Sequence, residues 1–78
     1  MDKLTIFKTD SCYACREQVP QAVEIANKLG IQTEVVDVYN CPVSRKPDCD
    51  RVAWVPHMEL NGQEVSLDQL RERLSKRQ

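Results

Sequence analysis

The reactive residues of this chain are cysteines: Cys12 and Cys15 in the run SCYACR, and Cys41 and Cys49 further along. A cysteine thiolate is both a nucleophile and a metal ligand. On a helix, thiols three positions apart lie nearly one turn apart on the same side. One sulfur can then attack a foreign disulfide, and the other can attack the mixed disulfide so formed and release a reduced partner. The four thiols could instead hold zinc, or the first pair could be a structural staple. Seven residues separate Cys41 from Cys49, more than the short ligand spacings of most four-cysteine zinc sites, which weighs against that alternative.

The flanking elements decide how the first pair is presented. LTIFK, Leu4 to Lys8, is β-branched and aromatic and runs into the polar Thr9-Asp10-Ser11, so it reads as a strand delivering the chain to a helix start. Beyond it, Val19, Ala22, Val23, Ala26 and Leu29 recur at helical spacing, and Gly30 follows as a C-terminal cap. Cys12 therefore falls at a helix N-terminus, where unpaired N–H groups and the positive end of the helix dipole favour a thiolate. Lys8 and Arg16 add to that effect and Asp10 opposes it. Pro20 lies inside the helix and is expected to kink it.

Ile31 to Tyr39, IQTEVVDVY, reads as a second strand, making a βαβ unit with a parallel pair. NCPVSRKPDCDRVAW reads as a loop with a short helix near 47–52. His57 to Leu60, Asn61-Gly62 and Gln63 to Val65 form a hairpin with a primed turn. Ser66 and Gln69 form a capping box opening a last helix, whose apolar face is Leu67, Leu70 and Leu74.

The rest of the chain narrows the class of function. With 78 residues it is read as one domain, residues 1–78, with a thin core. At 41% hydrophobic and 29% charged, the composition is that of a folded globular protein. A net charge of -1 offers no basic field for nucleic acid. No apolar run is long enough to span a bilayer, and the N-terminus does not read as a secretory signal. The expectation is a cytoplasmic monomer with no nucleic-acid or membrane partner, in which a cysteine pair in a βαβ setting is redox-active.

From the strand, the CxxC at a helix start, Pro20 and the pair Val55-Pro56, the sequence resembles the thioredoxin and glutaredoxin superfamily along nearly its whole length. The resemblance implies an α/β thioredoxin-like fold, a four-stranded mixed sheet flanked by three helices. It also implies a thiol-disulfide oxidoreductase acting on protein disulfides through a mixed disulfide. By the same resemblance Cys12 attacks and Cys15 resolves, and Tyr13, Val55 and Pro56 bind substrate: the Val55 backbone bonds the incoming segment, and Pro56, across a cis bond, packs beside the two cysteines. No bound cofactor is implied; electrons come from a thioredoxin reductase or from glutathione.

Several residues depart from the family pattern. CYAC replaces the Cys-Gly-Pro-Cys of ordinary thioredoxins, and its Tyr13 is nearer the Cys-Pro-Tyr-Cys of glutaredoxins. Ile6 stands where thioredoxins bury an aspartate. Val65-Ser66-Leu67-Asp68 replaces the glycine pair and acidic residue with which glutaredoxins hold glutathione, although Asp68 could meet a small ligand's amine. Cys41 and Cys49 are a second redox or structural pair, or two thiols serving as small hydrophobes. His57 is read as structural or superficial, its side chain turned from the cysteines, and Trp54 as a core contact or an apolar anchor for a protein partner.

Overall fold

The structure, a computed structural model, describes residues 2–77. It contains β1 (Lys3–Lys8), α1 (Tyr13–Leu29), β2 (Gln32–Asp37), α2 (Lys46–Arg51), β3 (His57–Leu60), β4 (Gln63–Glu64) and α3 (Leu67–Arg77). The sheet order is β2-β1-β3-β4. β1 pairs parallel with β2 and antiparallel with β3, which turns back into β4. This is the mixed four-stranded sheet with three helices that the sequence implied.

β1 is central, and its two faces belong to different cores. Leu4 and Ile6 are fully buried with Ala22, Ile25, Met58, Leu60 and Leu70, in the layer that α1 and α3 cover. Phe7, one step out of phase, lies with Val36 and Cys49 on the face that α2 covers. A strand buried on both sides must be apolar almost throughout, which LTIF satisfies.

The ends of α1 are set by particular groups. Cys12 is extended and caps the helix through its sulfur, which accepts the Cys15 N–H at 3.0 Å. At the other end Gly30 takes φ +72°, and the Gly30 and Ile31 N–H groups bond the carbonyls of Asn27 and Ala26, the closing pattern that favours glycine. Pro20 does not end the helix; α1 runs through it and is 17 residues long in all.

β2 stops sooner than the alternation suggested. The Asp37 carboxylate accepts the Tyr39 N–H at 2.9 Å and turns Val38–Asn40 into a 3-10 turn, the local competition that aspartate offers to a strand ladder. A second such turn, Val43–Arg45, leads into α2, one residue earlier than the sequence suggested. Arg45 clamps this segment to β2 by bonding both oxygens of Glu34, at 2.5 and 3.3 Å, while Lys3 reaches Glu34 at 2.8 Å.

Asn61 and Gly62 both have positive φ, 54° and 86°, as the primed hairpin turn requires. The capping box is formed in both directions: Ser66 N–H to Gln69 Oε1 at 2.8 Å, and Gln69 N–H to Ser66 Oγ at 3.1 Å. Among the described residues no helix is long and apolar enough to cross a membrane.

Candidate active site

Because β1, an inner strand, runs toward the start of α1, it delivers Cys12 to the end of the sheet. There the Cys12 N–H bonds the Thr9 carbonyl at 3.3 Å. Cys12 and Cys15 are joined as a disulfide, with Cα atoms 5.2 Å apart. The two sulfurs are unequally available, since Cys12 is half-buried and Cys15 is 3% exposed. Tyr13, between them, stands out into solvent.

The opposite lip is the segment before β3. Val55 and Pro56 are joined by a cis peptide bond, and the Val55 carbonyl oxygen lies 3.8 Å from Cys12 Sγ. Val55, Pro56 and the disulfide, named from sequence, thus come together at one place, with Tyr13 on the outer side. Ile6, set by the sequence reading at the place where thioredoxins bury an aspartate, is fully buried in the apolar core.

Charge near the site is mostly paired. Lys8 Nζ bonds Asp10 at 2.6 Å and lies 4.0 Å from Asp37. The Lys8 ammonium holds the Asp10 carboxyl below its ordinary range, and Asp10 in turn raises the Lys8 ammonium. Asp10, read from the sequence as opposing a thiolate, is thus ion-paired with Lys8. With Arg16, Val19 and Pro20 these two line a cavity of about 450 Å³ that reaches Cys15.

On the other side of Pro56 a groove of about 400 Å³ is bounded by Gln18, Trp54, His57, Glu64 and Leu67. Trp54 is 62% exposed and meets the His57 ring edge-on at 6.4 Å, so it is not the core contact that one of its two sequence readings expected. His57 is largely buried, its Nε2 2.9 Å from Glu59 and its ring 5.7 Å from that of Phe7; these contacts fix it on the sheet. Asp68 lies outside this groove and pairs with Arg71 at 3.3 Å.

Cys41 and Cys49 form a second disulfide, with Cα atoms 6.7 Å apart. The four sulfurs are thus paired two by two rather than gathered, and among the described residues no group of three or more His, Cys, Asp or Glu is placed to hold a metal ion. Sequence reasoning named Lys8 and Asp10 singly but missed Asp37 and the pairing of the three. It also missed Tyr39 and Val43, exposed at 84% and 92%, which flank Cys41; their apolar character was visible, but the turns that expose them were not.

No protein-family model matches the sequence, and no curated protein matches it. Solved structures do. Thioredoxin 1 of the thermophilic eubacterium Thermosipho africanus superposes with a TM-score of 0.67 at 23% identity, over 96% of this chain and 97% of that one. Oxidised thioredoxin O2 of Arabidopsis thaliana gives 0.70 at 21% identity, over 97% and 74%. Oxidised thioredoxin of Plasmodium falciparum gives 0.64 at 19%, over 97% and 80%. The chain has the thioredoxin fold.

Proposed function

We propose that the protein is a thiol-disulfide oxidoreductase that reduces protein disulfides through Cys12 and Cys15. The observation that carries this reading is the position of Cys12: its sulfur accepts the Cys15 N–H at the mouth of α1 and lies beside the Val55 carbonyl. An N–H aimed at the sulfur favours its thiolate, the attacking form.

In the reduced protein the Cys12 thiolate attacks one sulfur of a substrate disulfide, forming a mixed disulfide and expelling the other sulfur as a thiolate that takes up a proton. Cys15 then loses its proton and attacks Cys12 Sγ. The substrate's second thiolate leaves, and the Cys12–Cys15 bond is formed. Two electrons pass from the dithiol to the substrate. The unequal exposure of the two sulfurs supports this division of labour, with the half-buried one meeting substrate and the buried one resolving. The Val55 backbone aligns the incoming segment and Tyr13 covers its outer side.

No bound cofactor is needed for these steps. Re-reduction draws on a thioredoxin reductase or glutathione, and the lack of a glycine pair before α3 favours the reductase. The protein is accordingly closer to thioredoxins than to glutaredoxins in its donor, and we assign it to the cytoplasm as a monomer.

The test is reduction of insulin disulfides by the wild type, Cys12→Ser and Cys15→Ser proteins with a dithiol as electron source. Wild-type turnover with loss of at least about a hundredfold in Cys12→Ser is expected. A folded Cys12→Ser protein with wild-type turnover would exclude the mechanism.

A further inference from the structure

The Cys41–Cys49 bond lies outside the site just described, yet it is connected to it through the chain. Cys49 is buried on α2 against Phe7 and Val36. Its carbonyl accepts the Val52 N–H at 3.2 Å, which ends α2. Three residues further on comes Val55, whose carbonyl faces Cys12. At its other end the bond begins at Cys41, half-buried between the exposed Tyr39 and Val43. The second disulfide thus closes the segment that feeds the Val55–Pro56 lip, and one of its sulfurs lies nearer solvent than the other.

We infer that Cys41–Cys49 is a second exchangeable disulfide, entered at Cys41, whose opening loosens the lip beside Cys12. An external dithiol supplies the electrons. Its thiolate attacks Cys41 Sγ, the Cys41–Cys49 bond breaks, and Cys49 leaves as a thiolate that takes a proton. The second thiol of the reductant then deprotonates and attacks the mixed disulfide, releasing Cys41 and leaving the reductant as a disulfide. Attack at Cys41 follows from access, because Cys49 is 9% exposed beneath α2. The opening stays local, since Arg45 still holds the segment to Glu34 and the Cys49 side chain keeps its apolar neighbours. What is lost is the covalent tie that holds Cys49, near the end of α2, to the turn at Cys41, and with it the fixed start of the Val52–Val55 approach. The coupling to Cys12 rests on the proposed function; the exchange itself does not.

The experiment uses the full chain in three parts. In a Cys12→Ser/Cys15→Ser protein, alkylation and mass measurement across dithiothreitol buffers should show two thiols appearing and disappearing reversibly. Their midpoint should lie within about a hundredfold, in buffer ratio, of that for the first pair in a Cys41→Ser/Cys49→Ser protein. Thiols that appear only in denaturant would overturn the inference. On the Cys12→Ser/Cys15→Ser background, the Cys41 thiol left by Cys49→Ser should react with Ellman's reagent at least about tenfold faster than the Cys49 thiol left by Cys41→Ser; equal rates would overturn entry at Cys41. Finally, iodoacetamide alkylation of Cys12 in a Cys15→Ser protein should change by at least about threefold when Cys41→Ser and Cys49→Ser are added. An unchanged rate would overturn the coupling. None of these readouts requires insulin turnover, so a wild type inactive on insulin would count against the proposed function alone.

Discussion

Leu70 offers the most direct probe of how so small a domain holds its last helix. It is fully buried in the α1–α3 layer, whereas Leu74, one turn on, is only half-buried beside the same cluster. Leu70→Ala removes three carbons' worth of apolar burial, about 2.4 kcal/mol at about 0.8 kcal/mol per methylene. The cavity left behind brings the expected loss to about 3–4 kcal/mol. Leu74→Ala, already in partial contact with water, should cost about 1 kcal/mol. A domain of this size has a denaturant slope near 1 kcal/mol per molar in urea, so Leu70→Ala should lower the unfolding midpoint by about 3 M. The assay is urea unfolding followed by far-ultraviolet circular dichroism, with both disulfides kept oxidised. Equal midpoints for the two variants at an unchanged slope would refute the placement of α3 and the burial argument together.

Three further outcomes follow from local geometry. Gln69→Ala removes one arm of the capping box and exposes the Ser66 N–H, so it should cost about 1 kcal/mol in the same urea assay. Gly62→Ala meets no neighbouring atom but must still adopt φ +86°, so a loss of about 1 kcal/mol is expected from the backbone alone. The Glu34 carboxyl is held below its ordinary range by hydrogen bonds from Arg45 first and Lys3 next. A depressed folded value means that this stabilisation is complete above the unfolded carboxyl's range, near pH 4.3, and is lost as pH falls through the lower folded value. Thermal melting between pH 5 and pH 3 should therefore fall less steeply for Arg45→Gln than for wild type.

Much of the architecture was readable because local and global signals agree. The apolar period of α1, the Asn-Gly turn and the Ser66–Gln69 box each require only near neighbours, and each forms as the residue types demand. The end of β2 was not readable, because Asp37 competes with the strand through one side-chain bond whose outcome depends on where the chain goes next. Within the site, Cys12 and Cys15 were legible from spacing, and Val55 and Pro56 from resemblance. The helix cap was not: the polar Ser11 stood next to it, yet the sulfur of Cys12 takes that role. Lys8, Asp10 and Asp37 meet only because β1 and β2 are parallel and end together.

The mixed disulfide tests the central claim most directly. Reduced Cys15→Ser protein would be mixed with a protein disulfide and quenched with acid, and its mass measured intact and after digestion. A covalent adduct mapped to Cys12 is the expected result, since the resolving thiol is gone and the intermediate cannot collapse. A folded, reduced Cys15→Ser protein that forms no adduct, or forms it only at Cys41 or Cys49, would contradict attack by Cys12.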